Sequence, residues 1–88
     1  MNFREWQAFV EVYDQGSFTR AARSLGTAQS NISARVRSLE VTSGRRLFIR
    51  RYRKVLPTEV AEQLYHRIKP AMEALASVAR EFPTDHRA

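Results

Sequence analysis

The residues with the clearest capacity for chemistry lie between positions 27 and 40, in the stretch TAQSNISARVRSLE. Its first half carries short amide and hydroxyl side chains, which donate and accept hydrogen bonds, and arginines follow at positions 35 and 37. Ile32, Val36 and Leu39 recur at the spacing of one face of a helix. The stretch is therefore predicted to be a helix that buries one stripe and presents a polar, positively charged surface on its other sides.

The exposed side chains of this predicted helix suit the edges of DNA bases. Short side chains let a helix approach the floor of the major groove, amides and hydroxyls can bond to base edges, and alanine can contact a thymine methyl group. The predicted base-contacting residues face away from the stripe or flank it: Gln29, Ser30, Asn31, Ser33, Ala34 and Arg37. A polar first turn is by itself more often ordinary chemistry of a solvated helix, so the assignment depends on the neighbouring elements.

A short predicted helix precedes this stretch and gives it the arrangement of a helix-turn-helix. Ser17 is a suitable N-cap for a helix over residues 18–25, in which two adjacent alanines allow close approach and after which a glycine follows. The next helix is predicted over residues 28–42. Thr27 or Ala28 begins it, and Thr27 is the better N-cap because Ala28 has no side-chain oxygen to offer. Exposed N–H groups at the start of the short helix favour a phosphate, which predicts contacts from Ser17, Thr19 and Arg20.

Positive charge is concentrated in the middle of the chain. Between positions 20 and 54 there are ten basic residues and one acidic residue, Glu40, whereas the remainder holds five basic and eight acidic residues. Such segregation is typical of a surface that binds a polyanion. The predicted contacts to phosphates or to the minor groove are Ser17, Thr19, Arg20, Arg35, Arg50, Arg51, Arg53 and Lys54.

The segment after Gly44 changes its pattern. Residues 47–50 and 54–56 are predicted to form two short strands around a basic turn, although the turn has none of the glycine-containing pairs that favour a hairpin. The sequence leaves open whether Tyr52 stacks on a partner or covers the turn.

Helices are also predicted at both ends of the chain. A capping pattern of Asn2 and Glu5 begins a helix over residues 3–14, and Thr58 begins a last helix that continues to residue 82. Apolar residues recur along the last helix at alternating intervals of three and four. Its first part is expected to pack on the chain's own core. Its later part is expected to pack on a second copy of the chain, through Ala71, Leu75, Val78 and Phe82.

Composition limits the remaining possibilities. The length of 88 residues suits one domain, and a sequence without cysteine can form neither a disulfide nor a Cys/His zinc cluster. The sequence has no phosphate-binding glycine loop and no nucleophile–base pattern, so we expect no catalytic site, no metal site and no cofactor. Because no stretch is apolar enough to span a bilayer, a cytoplasmic protein without a membrane partner is expected.

Two segments, QGSFTRAARSLGTAQSNISARVRSLE and GRRLFIRR, resemble the N-terminal winged helix-turn-helix domain of LysR-type transcriptional regulators. The resemblance implies a mainly α fold with three helices, a small β-hairpin wing and a long C-terminal helix. The winged helix-turn-helix DNA-binding domain would cover residues 1–57, the linker and dimerisation helix 58–82, and a polar tail 83–88.

The same resemblance implies binding of double-stranded operator DNA as a homodimer. Gln29, Ser30, Ser33 and the residue at position 34 would contact the major groove, and Arg53 would enter the neighbouring minor groove. An effector small molecule would bind only through a further domain, which this chain lacks. The family often has proline at position 30, arginine at position 34 and glycine near the wing tip, whereas this chain has Ser30, Ala34 and the tip Arg51-Tyr52-Arg53-Lys54.

The residues alone also permit a function of a different class. A helical protein-interaction module could use the same basic surface to dock an acidic protein without recognising bases. Competition between operator and random duplex at a fixed salt concentration separates the two functions, because a docking module would show no preference.

Overall fold

The protein folds into four helices and a two-stranded hairpin in a computed structural model that describes residues 1–82. In chain order the elements are α1 (Phe3–Gln15), α2 (Phe18–Leu25), α3 (Gln29–Ser43), β1 (Phe48–Arg51), β2 (Lys54–Pro57) and α4 (Glu59–Glu81). This order confirms the predicted winged helix-turn-helix with a long final helix. The tail predicted over 83–88 lies outside the described residues.

Side-chain caps begin three of the helices as the sequence predicts. The side chains of Asn2, Ser17 and Thr58 accept hydrogen bonds from the backbone N–H groups three residues later, at 2.9 to 3.2 Å. For α3 the preference for Thr27 as the N-cap is wrong, because the N-cap is Ala28, which makes no side-chain cap. Thr27 instead completes the end of α2, where its N–H donates to the carbonyl of Ala22 at 3.0 Å.

The core lies where α1, α2 and α3 meet the start of the wing. The buried stripe predicted for α3 is confirmed, because Ile32, Val36 and Leu39 are all buried. They pack in one cluster with the other buried apolar side chains, which include Phe9, Val12, Phe18, Ala21, Ala22, Leu47 and Phe48.

The first half of α4 packs on this core, whereas its second half extends beyond it. Ala61 is buried, and Leu64 and Ile68 are half-buried against the cluster, as the sequence predicts for the early part of the seam. Leu75 and Phe82 are 57% and 70% exposed. No helix within residues 1–82 combines the length and the apolar character needed to cross a membrane.

A polar cluster fixes α4 against α1. The Tyr13 hydroxyl donates to Glu62 Oε1 at 2.7 Å, Lys69 Nζ donates to Asp14 Oδ2 at 2.7 Å, and the Tyr65 hydroxyl also donates to Asp14. The hydrogen bond to Glu62, assisted by burial, raises the pKa of Tyr13 to about 12. Burial first, and then the hydrogen bond to Asp14, raises the pKa of Tyr65. These contacts set the direction in which α4 leaves the core.

The wing is an antiparallel hairpin in which Arg50 pairs with Val55 and Arg51 with Lys54. Each strand is shifted or lengthened by one residue from its predicted bounds. Tyr52 and Arg53 form the turn, with φ of 54° and 64°. Positive φ at both central residues is the requirement of a type I′ hairpin turn, which is normally met by asparagine or glycine.

Candidate nucleic-acid interface

The outer face of α3 is a strip of small and basic side chains. Ser30, Ala34 and Arg37 are exposed and Ser33 is half-buried, while the opposite stripe of the helix is buried. The first turn of α3 carries Gln29 and Asn31, both exposed. The six residues predicted to contact bases are therefore at least partly accessible on the outer face and first turn of α3.

Hydrogen bonds orient the two amides at the start of α3. The Thr19 hydroxyl donates to Gln29 Oε1 at 3.0 Å, and Asn31 Nδ2 donates to Thr27 Oγ1 at 2.7 Å. A carbonyl oxygen has two lone pairs, so Gln29 can still accept a second hydrogen bond and donate through its amide nitrogen. Thr19, which the sequence suggested as a phosphate contact, also positions Gln29. Thr19 and Gln29 are ten residues apart and lie on different helices, so no local sequence pattern predicts this hydrogen bond.

An arginine-lined groove of about 360 Å³ separates α3 from the wing. Its walls include Arg37 and Glu40 of α3, Arg46 before β1, and Arg50 of β1. The Arg50 guanidinium carbon lies 5.0 Å from the centroid of the Phe18 ring, a cation–π contact that orients Arg50 over the start of α2. Arg46 belongs to the run from Arg45 to Lys54, whose six basic residues and lack of acids predict contact with phosphates or the minor groove.

The remaining predicted phosphate contacts are divided between the start of α2 and the other flank of α3. Thr19 and Arg20 are exposed, and Ser17 Oγ accepts from the Arg20 N–H at 3.1 Å as the N-cap of α2. Arg35 is half-buried on the flank of α3 that also carries Ser38. The Ser38 hydroxyl donates to Glu5 Oε2 at 2.7 Å, which lowers the pKa of Glu5. The fold therefore separates Arg35 from the arginine-lined groove.

Glu40, the single acidic residue of the basic segment, connects α3 to the wing. Its Oε2 accepts from the N–H of Leu47 at 2.8 Å and from that of Phe48 at 3.4 Å, and it lies 3.9 Å from Arg46 Nε. On the opposite side, Thr58 donates from its hydroxyl to the Arg46 carbonyl at 2.7 Å and from its N–H to the Leu47 carbonyl at 2.9 Å. The base of the wing is thus held from both α3 and the start of α4.

The tip of the wing is a cluster of four exposed side chains, Arg51, Tyr52, Arg53 and Lys54. Left-handed backbone costs about 1–2 kcal/mol for a residue with a side chain. Two such residues in succession make this turn less favourable than an Asn-Gly turn. No group of three His, Cys, Asp or Glu side chains within residues 1–82 has an arrangement that could hold a metal ion.

The chain is similar to known proteins along most of its length. A family described as bacterial regulatory helix-turn-helix protein, lysR family, matches residues 3–62. The HTH-type transcriptional regulator AbaB of Streptomyces antibioticus is 44% identical over 73 residues, which are 83% of this chain and 24% of AbaB. The regulator PgrR of Escherichia coli (strain K12) is 44% identical over 70 residues, 80% of this chain and 23% of PgrR. The chain thus spans about a quarter of the length of these curated relatives.

Solved structures agree in fold. The chain BenM_DBD, crystallised as a complex with catB site 1 DNA, superposes with a TM-score of 0.82 at 28% identity, covering 98% of this chain and 100% of that chain. Its complex with benA site 1 DNA gives 0.84 at 28% identity, covering 92% and 94%. With the family match over residues 3–62, these similarities show that the chain belongs to the LysR family of bacterial regulatory helix-turn-helix proteins.

Proposed function

We propose that this chain binds double-stranded operator DNA in a sequence-specific manner, as a homodimer, and thereby regulates transcription. The observation that carries the proposal is the outer face of α3. It is rich in hydrogen-bonding groups, and both the start of α2 and the arginine-lined groove adjoin its flank that carries Gln29, Ser33 and Arg37. The similarity to structures crystallised as DNA complexes supports the same function.

In this proposal α3 lies in the major groove. Gln29, held by Thr19, can present both a donor and an acceptor to an adenine, while Ser30 and Ser33 can bond to either type of edge group. Asn31 contributes less freely because its amide nitrogen already donates to Thr27. Ala34 is short enough to allow contact with a thymine methyl group, and Arg37 can reach a guanine or a phosphate.

Positive charge around α3 holds the DNA backbone. Arg37, Arg46 and Arg50 share one groove, so they can neutralise neighbouring phosphates of the strand that passes between α3 and the wing. Arg20 contacts the phosphates at the start of α2. The Thr19 hydroxyl donates its one proton to Gln29, so it can donate to a phosphate only by releasing that amide. Arg35 contacts the phosphates on the other flank of α3. Arg53 at the wing tip enters the adjacent minor groove, where a narrow A·T-rich segment has an enhanced negative potential.

The homodimer forms through α4. A groove of about 420 Å³, which the described chain leaves open, is lined by Phe3 and Trp6 of α1 and by residues of α4 that are apolar except for Arg67. The second half of α4 exposes the apolar side chains of a continuous heptad seam, namely Ala71, Leu75, Val78 and Phe82. A second copy of α4 would cover this surface. In this proposal, residues 1–57 form the DNA-binding domain and residues 58–82 form the linker and dimerisation helix.

Selection of bound duplexes from a random pool tests the function. An inverted repeat is expected, because two copies related by two-fold symmetry contact two half-sites. The logarithm of the affinity should fall with the logarithm of the salt concentration by about 0.9 per phosphate neutralised. Arg53→Ala should weaken binding, whereas Ser33→Ala should change base preference. Recovery of random sequences without a shared motif would instead support a docking module for an acidic protein.

A further inference from the structure

Tyr52 is the most exposed large hydrophobic side chain of the wing. It is 89% exposed, so its ring makes almost no packing contact with the rest of the chain. Its backbone nevertheless has a φ of 54°, a conformation that side chains other than glycine or asparagine rarely adopt. In the free protein, the unfavourable backbone conformation of Tyr52 is therefore not offset by burial of its ring.

The surroundings of Tyr52 indicate which partner would compensate that cost. Arg51, Arg53 and Lys54 are exposed beside it, so the tip combines one flat amphipathic ring with three cations. A minor groove of duplex DNA offers the complementary surface, because phosphates line its rims and the apolar edges of deoxyribose form its walls. Many proteins that bind the minor groove place apolar side chains in it, commonly as wedges between base steps.

The position of the tip is fixed relative to α3. Glu40 and Thr58 hold the base of the wing by hydrogen bonds on both sides, and β1 pairs with β2 up to Arg51 and Lys54. A short turn closed by a paired residue on each side has little freedom to fold away. The backbone of Tyr52 therefore lies at a set distance from the helix that the proposed function places in the major groove.

We propose that Tyr52 is a DNA-contacting residue whose ring packs against the deoxyribose wall of the minor groove, beside the groove floor that Arg53 enters. This inference rests on the proposed function of the chain. Contact with a sugar wall depends on groove width rather than on base identity, so Tyr52 would favour narrow A·T-rich segments under the wing without a base-specific hydrogen bond.

Replacement of Tyr52 by glycine tests the contact, because relief of the left-handed turn would favour binding whereas loss of a DNA-contacting ring would weaken it. Glycine relieves the left-handed turn and should leave the wing at least as well formed, so a residue that merely occupies the turn would bind DNA equally or better as glycine. If the ring touches DNA, Tyr52→Gly should weaken affinity for the duplex selected by the wild-type chain by about tenfold, in the range of aromatic contacts to nucleic acid. Tyr52→Phe, which keeps the ring, should stay within about twofold.

Two further measurements separate this contact from charge and from folding. Tyr52→Gly changes no charge, so the salt dependence of binding should match that of the wild type, whereas Arg53→Ala should lower its slope by about one. Hydroxyl-radical footprinting, which attacks deoxyribose from the minor groove, should show sugars newly exposed under the wing in the glycine variant. Tyr52→Asn, which tolerates the same turn, is the second variant if the glycine variant melts at a lower temperature.

The outcomes distinguish this inference from the proposed function. Unchanged or tighter binding by both Tyr52→Gly and Tyr52→Asn, with an unchanged footprint, would overturn the role of Tyr52 while operator binding stands. Failure of the wild-type chain to select any duplex would overturn the proposed function, and the role of Tyr52 with it.

Discussion

Replacement of Glu40 by alanine tests whether a single carboxylate holds the wing on α3. Glu40 Oε2 accepts from the N–H of Leu47 at 2.8 Å, and its side chain is only 21% exposed, so water replaces this acceptor poorly. The longer contact to the Phe48 N–H, at 3.4 Å, is weaker. Arg46 lies 3.9 Å away and is 73% exposed, so this ion pair contributes little.

The expected loss follows from these three contacts. A hydrogen bond to a charged group contributes about 1.5–3 kcal/mol, and an exposed ion pair about 0–1 kcal/mol. Glu40→Ala should therefore lower the free energy of unfolding by about 2–3 kcal/mol, a large share of the stability of a domain this size. Glu40→Gln keeps an oxygen acceptor without its charge and should lose about 1 kcal/mol.

Urea denaturation measures the loss, and hydrogen exchange localises it. The amide protons of Leu47 and Phe48 should lose protection in Glu40→Ala. Glu73→Ala is the matched control, because it removes a glutamate from an exposed position of α4 whose side chain makes no hydrogen bond within residues 1–82. Removal of an acid from a basic surface strengthens attraction to DNA, so a weaker specific affinity would isolate the effect on wing position. A change in unfolding free energy below about 0.5 kcal/mol, the scale of an ordinary surface substitution, would refute this account of the wing.

Two other predictions concern α4. Leu75→Asp places a charge in the apolar seam, so it should sediment as a monomer and bind the operator more weakly. Ala76→Asp, on another side of the helix, should remain dimeric. A dimer in both variants would contradict the interface. The pKa of Tyr13 is raised from 10.0 to about 12 in the folded state, so its stabilising contribution is complete below pH 10 and is lost as the pH rises toward 12. Between pH 10 and 12, the urea midpoint of Tyr13→Phe should therefore fall less than that of the wild type. An equal decrease in the two midpoints would count against the contact between Tyr13 and Glu62.

Much of the fold follows from short-range patterns. The buried stripe of α3 and the caps by Asn2, Ser17 and Thr58 depend on residues three or four positions apart, which a helix brings together in any protein. The cap predicted at Thr27 is wrong because two helices meet there, and the end of α2 uses the backbone of that residue. Local capping preferences do not indicate whether Thr27 belongs to the end of α2 or to the start of α3.

The order of elements, the exposed polar face of α3 and the position of the basic segment could be predicted from the sequence, because periodicity and charge are properties of neighbouring residues. Three relations appear only in the packed fold: Thr19 orients Gln29, Glu40 secures the wing, and Arg46 shares a groove with Arg37. These relations join residues on different elements. They depend on the angles at which helices and hairpin pack, and such angles arise from the whole core rather than from any short stretch of chain.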